Sequence, residues 1–142
     1  MKILIVDDLE SRHEVIADWL SKVAKGTNPV IFSAYDIDDV KKIFREHKHF
    51  DYIFLDHDLG DTIFADSSDY HTGYTVAKIM IEQKITYDNL IVHSINIYGA
   101  LNIQSLIHEV IIIPVFTLVR FNELPGKLLS LPRNTDWDEE DI

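Results

Sequence analysis

The chain of 142 residues contains no cysteine, which removes disulfide frameworks, thiolate zinc sites and cysteine nucleophiles from consideration. It also has no apolar run long enough to span a bilayer. The first such run (Met1-Lys2-Ile3-Leu4-Ile5-Val6-Asp7-Asp8) is cut short by acids, so neither a membrane span nor a signal peptide is expected and a cytoplasmic location follows. Cations are scarce: 13 Lys and Arg stand against 24 Asp and Glu, a formal net charge of −11. Sequence-independent binding to long nucleic acids needs clustered cations and is not expected. A small anionic ligand stays open, because a metal or backbone amides can reverse the local field. What is present suits one soluble domain with a sizeable core, 46% apolar and 26% charged.

Apolar runs and helical periodicity alternate along the chain. Ile3 to Val6, Val30 to Ala34, Tyr52 to Leu55, Leu90 to His93 and Val110 to Val119, with Pro114 inside it, predict strands. Between them, Glu10 to Val23 places Val15, Ile16, Trp19, Leu20 and Val23 at helical spacing. Asp36 suits an N-cap for a helix to about His47, with Val40, Ile43 and Phe44 inward. Thr72 to Lys84 is helical by Tyr74, Val76, Ala77, Met80 and Ile81, and a further helix spans about Tyr98 to His108. Such alternation implies an α/β fold of three layers, a five-stranded parallel sheet in the flavodoxin-like order 2-1-3-4-5. Residues 1–120 would form this domain; 121–142 would be an extension whose acidic end, Arg133 to Ile142, is expected to be flexible unless Trp137 docks it.

The chain is organised around Tyr52-Ile53-Phe54-Leu55-Asp56-His57-Asp58-Leu59-Gly60, an apolar strand that ends abruptly in two carboxylates and an imidazole. Open parallel sheets bind ligands at the carboxyl ends of their strands. The order 2-1-3-4-5 brings Asp7, Asp8, Asp56, His57, Asp58, His93 and Ser94 to one edge, and convergence from three strands marks a candidate site. Uncompensated carboxylates repel each other, so Asp7, Asp8 and Asp56 are candidate ligands for Mg²⁺ or Mn²⁺. His57 and His93 end neighbouring strands and would stand in the crevice, where one ring can accept a proton and the other donate it. Asp58 would orient one of them. Ser94 and Asn96 offer polar groups to phosphate or ribose oxygens, while Gly73 and Gly99 let backbone amides approach an anion at helix starts. The loop from Asp61 to His71 is long enough for a lid, with His71 facing the site. The remaining histidines, His13, His47, His49 and His108, read as surface residues.

Asp7-Asp8, Asp56 and Ser94 resemble the receiver domains of response regulators. In that family the acidic pair holds Mg²⁺, the third-strand Asp accepts a phosphoryl group and a Ser or Thr senses it. Receivers also carry Lys before a Pro at the end of strand five; here Ile113 precedes Pro114 and no Lys follows until Lys127. Residues 2 to 110 are more similar to a receiver-like family predicted to process cyclic phosphates. The motifs are Leu55-Asp56-His57-Asp58-Leu59-Gly60, Thr72-Gly73-Tyr74 and His93-Ser94-Ile95-Asn96-Ile97-Tyr98-Gly99. That family carries an Arg close behind the first acidic pair, whereas Arg12 lies after Leu9-Glu10-Ser11. The resemblance implies a phosphoesterase acting on a small cyclic phosphate, a nucleotide or an RNA end. His57, His93, Asp56 and Asp58 would be its catalytic groups, with Ser94, Asn96, Gly99, Thr72, Gly73 and Arg12 around the substrate. The rival expectations are a receiver phosphorylated on Asp56 that works through a protein partner, and a catalytically silent module that binds a phosphorylated ligand or a protein.

Overall fold

A computed structural model describes residues 1–60 and 64–126. The elements run β1 (Lys2–Val6), α1 (Glu10–Val23), β2 (Val30–Ala34), α2 (Ile37–Glu46), β3 (His49–Leu55), α3 (Gly73–Glu82), β4 (Thr86–Val92), α4 (Ile97–Leu106), β5 (Ile111–Ile112) and α5 (Val115–Leu118). The strands form one sheet in the order β2-β1-β3-β4-β5, and each neighbouring pair is parallel. The two-residue period of a strand sorts its side chains to opposite faces. Leu4, Val6, Ile53, Leu55, Leu90 and Val92 meet α2, α3 and α4 through Val40, Phe44, Val76, Met80 and Ile103. Ile3, Ile5, Tyr52, Phe54 and Ile91 meet α1 and α5 through Ile16, Trp19, Leu20, Val115 and Leu118. Burial on both faces explains why these strands read as unbroken apolar runs.

Three expectations need correction. The fifth strand is two residues long, not Val110 to Val119. Pro114 has no N–H for the ladder and caps a helical turn instead, so Val115 and Leu118 pack as helix residues. The fourth strand starts earlier, at Thr86, because pairing with β3 carries Tyr87, Asp88 and Asn89, whose polarity hides them from an apolar-run criterion. Val15 and Ile81, read as facing the core, are 45% and 52% exposed.

Residues 121–124 still pack on the domain. The Trp19 indole donates to the Phe121 carbonyl at 2.9 Å, and Phe121 and Leu124 cover the α1 side of the core. Lys127 to Leu131, the acidic end and Trp137 lie outside the described residues, as do residues 61–63 of the expected lid. Among the described residues no helix is long and apolar enough to cross a membrane.

Candidate functional site

The polar residues gathered at the carboxyl edge of the sheet fall into two clusters. The first is built on β1. Asp7 follows the last residue of that strand, and its backbone N–H pairs with the Ala34 carbonyl at 3.0 Å, so its side chain is set by the sheet. Its carboxylate accepts from the Leu9 amide at 2.9 Å, the Arg12 Nε at 2.6 Å and the His93 Nε2 at 2.8 Å. Arg12, one turn into α1, reaches across and donates to Asp56 Oδ2 at 3.0 Å, while its contact with Asp8 is longer at 3.5 Å. The other oxygen of Asp56 accepts the His57 amide at 2.9 Å. Ser94 is buried; its hydroxyl bonds to Asp56, and its Oγ accepts from the Asn96 amide at 3.0 Å.

Arg12 therefore sits where a metal ion was expected. The motive for a cation was uncompensated negative charge, and the guanidinium already bonds one oxygen of Asp7 and one of Asp56. Among the described residues, Asp7, Asp56 and His93 each bring a ligand atom within 4.8 Å of the others at this edge, whereas Asp7, Asp8 and Asp56 do not form such a group. Burial alone would raise the pKa of Asp7, but the hydrogen bonds from His93 and Arg12 overcome it and the group lies below the ordinary carboxylate range. For Asp56 burial wins: despite the positive field of His93 and Arg12, its pKa is pushed up to about 6, with Asp7 adding repulsion. The two carboxylates repel each other, so the ionised Asp7 favours the protonated form of Asp56.

The second cluster is built on β3 and α4. Burial opposes ionisation of Asp58, yet hydrogen bonds from Asn96, His57 and the Phe64 amide outweigh it and hold its pKa low. The His57 Nδ1 lies 2.7 Å from Asp58 Oδ1, and Phe64 and Ala65 donate their amides to the same carboxylate at 2.8 and 3.2 Å. An ionised Asp58 can only accept, so His57 Nδ1 carries the proton of that bond, and in the neutral ring the lone pair then falls on Nε2. That lone pair faces the hydroxyl of Ser67 at 2.9 Å. Asn96 caps α4 by accepting the Gly99 amide at 2.9 Å and donates to Asp58 Oδ1 at 3.0 Å and the Ala65 carbonyl at 3.1 Å. Gly99 is required for space: a Cβ there would overlap the His57 ring. Beside this cluster lies a cleft of about 480 Å³, lined by Phe64, Ala65, Asp66, Ser67, Asn96, Tyr98, Gly99 and Asn102.

Several site residues thus do work other than that expected of them. His57 and His93 are buried, not standing in an open crevice, and each has its own carboxylate partner. The groups of Asn96 and Gly99 read as phosphate donors are spent on the cap and on Asp58. Thr72 caps α3 by accepting the Thr75 amide, and the Gly73 amide donates to the His57 carbonyl at 2.6 Å. His13, read as a surface residue, is buried: its Nε2 donates to the Asp7 carbonyl at 2.7 Å and its ring lies against Tyr35. His71 is exposed, and its ring meets Tyr70. Ser67 and Asn102 were not anticipated. Only the distance of ten residues between a loop serine and His57 linked them in sequence, and that spacing carries no signal.

The sheet order and the acids at the carboxyl ends of β1 and β3 define a receiver-type domain. The fold is similar to a response regulator from Burkholderia pseudomallei, solved with a phosphorylated aspartic acid, calcium ion and citrate. That likeness has 15% identity and a TM-score of 0.56, and covers 95% of this chain and 74% of the other. The bacteriophytochrome response regulator AtBRR is similar at 14% identity and a TM-score of 0.59, over 90% and 87% of the two chains. No curated protein matches. The model of the cyclic-phosphate processing receiver domain matches residues 2–109, and the chain belongs to that family.

Proposed function

We propose that this domain is a phosphoesterase that opens a small cyclic phosphodiester, and that His57 is its principal proton-transfer group. The observation that carries the reading is the His57 ring, held by an ionised Asp58 with its free lone pair turned toward Ser67 on the cleft wall. A ring so oriented takes a proton from an attacking hydroxyl and returns it to the departing alkoxide, the two services a cyclic ester needs. Cleft size suits a mononucleotide, since small-molecule sites commonly enclose about 300–1,000 Å³. Phe64 and Tyr98 border it and are 65% and 79% exposed, which supports stacking of a nucleobase. The first turn of α4 also lines the cleft, and its dipole favours a phosphate there.

His93 is the second proton-transfer candidate. Its Nε2 is committed to Asp7, while its buried Nδ1 has no hydrogen-bond partner among the described residues. Should a divalent cation bind, Asp7, Asp56 and His93 would hold it and Arg12 would have to yield; the ion would neutralise phosphate oxygens. Such a mixed oxygen and nitrogen set suits Mn²⁺ better than Mg²⁺. Phosphorylation of Asp56 is less well supported. Both its oxygens are engaged by Arg12 and the His57 amide, and the position before Pro114 is the buried Ile113.

The test offers 2′,3′-cyclic and 3′,5′-cyclic nucleotides with and without Mn²⁺ or Mg²⁺. Turnover is expected, with a loss on the order of 10²–10⁴ in rate for His57→Ala. No turnover, together with transfer of a phosphoryl group from a small donor to Asp56, would replace this reading with the signalling one.

A further inference from the structure

We infer that Ser67 is a nucleophile, the third member of an Asp58–His57–Ser67 relay, and that the cyclic ester is opened through a covalent phosphoseryl intermediate in the adjoining cleft. The substrate class rests on the phosphoesterase reading; the nucleophile rests on geometry alone. Asp58 Oδ1 is 2.7 Å from His57 Nδ1, and His57 Nε2 is 2.9 Å from Ser67 Oγ. Nucleophile, base and orienting acid thus stand in hydrogen-bond sequence, the arrangement that activates a serine hydroxyl on unrelated folds. Asn102 Nδ2 donates to Ser67 Oγ at 2.8 Å, which occupies an acceptor site of the oxygen and leaves the serine hydrogen available to the Nε2 lone pair of a neutral His57.

The relay is firmly supported. Asp58 also accepts from Phe64, Ala65 and Asn96, and the His57 ring fits against Gly99 with no room for a Cβ. Ser67 itself is only half-buried and lines the cleft, so a phosphorus atom can reach Oγ. In the first step the Ser67 Oγ–P bond forms and one ring P–O bond breaks; the hydroxyl proton passes to His57 Nε2 and then to the leaving alkoxide. In the second, a water gives one proton to His57 Nε2, its oxygen bonds to phosphorus, the Oγ–P bond breaks and the Ser67 alkoxide takes that proton. The sum is cyclic ester plus water giving an acyclic phosphomonoester.

A fluorophosphonate ester probes the nucleophile without reference to the natural substrate. Attack forms Oγ–P, expels fluoride and leaves the proton on His57. Intact and peptide mass spectrometry of the full chain should find one adduct, on Ser67. The adduct should be absent in Ser67→Ala, strongly reduced in Asp58→Asn and retained in Ser68→Ala, since exposed Ser68 has no part in the relay. Circular dichroism melts would confirm that each variant is folded. No adduct, or an adduct shared equally with Ser68, overturns the inference. With cyclic nucleotides, Ser67→Ala should lose on the order of 10² or more in rate. Retention of wild-type turnover by that variant removes the nucleophile and leaves the phosphoesterase reading standing. Labelling of Ser67 in a protein that turns over no cyclic phosphate does the reverse.

Discussion

Replacing Arg12 with Met keeps most of the side-chain stem and removes the charge that holds the first cluster together. Asp7 is 0% and Asp56 3% exposed, and the guanidinium bonds them at 2.6 and 3.0 Å. Removing one partner of a buried ion pair costs about 3–5 kcal/mol, because the other is left as an uncompensated charge. Two features reduce that here. The Arg12 side chain is 24% exposed, so part of its field is already screened by water. Asp56, already raised to about 6, can also escape by taking up a proton, and each further unit of upward shift is worth about 1.4 kcal/mol. A net loss of roughly 2–3 kcal/mol at pH 7.5 follows, which for a domain of this size lowers Tm by roughly 6–12 °C. Thermal unfolding followed by circular dichroism from pH 5 to 8 measures it. The deficit should shrink toward pH 5, where a neutral Asp56 needs no cation, and Mn²⁺ should raise the Tm of the variant more than that of the wild type. A Tm within about 2 °C of wild type at pH 7.5, or a deficit that does not change with pH, would refute the reasoning.

Asp56→Asn should act in the opposite direction. The folded value of about 6 lies above the ordinary 3.8, so wild-type stability falls as pH rises through that window and stays lower above it. The variant should therefore gain on the order of 1–3 kcal/mol over wild type above pH 6 and lose the advantage toward pH 4, as read from urea midpoints. Asp7, whose value is lowered, contributes stability that disappears only in acid below 3.8, so Asp7→Asn should be the less stable protein at neutral pH in the same titration. Gly99→Ala forces a methyl into the His57 ring and should cost about 1–3 kcal/mol, seen as a Tm loss of several degrees; an unchanged Tm would mean that the ring has room to move. Asn96→Ala removes a helix cap and a donor to Asp58, for a loss of about 1–3 kcal/mol. Its cyclic-nucleotide turnover should fall as well, because His57 would be held less firmly; wild-type kinetics in a destabilised variant would show that the cap alone matters.

The sheet order and the edge on which polar residues gather were legible because each depends on local pattern. Ile3 to Val6, Tyr52 to Leu55 and Leu90 to Val92 are apolar without interruption, as burial on both faces demands, and Asp7, Asp56 and His93 follow where those strands leave the sheet. Pro114 was legible as an oddity within a strand, yet its consequence, a two-residue β5 followed by a helical turn, needed the packing of Val115 and Leu118. The partners of the charged groups lay beyond sequence altogether. Arg12 is 44 residues from Asp56, His93 is 86 from Asp7, and Asn96 is 38 from Asp58. Nothing local distinguishes a carboxylate that a guanidinium will neutralise from one that awaits a metal. The same holds for Ser67, one of two adjacent loop serines, set apart only because the chain returns it to within 2.9 Å of His57 Nε2. Sequence determines which residue types reach the edge of the sheet, since backbone periodicity is short-ranged. Which of them bond is decided by the fold alone, because hydrogen bonds and ion pairs act over a few ångströms in space and are indifferent to separation along the chain.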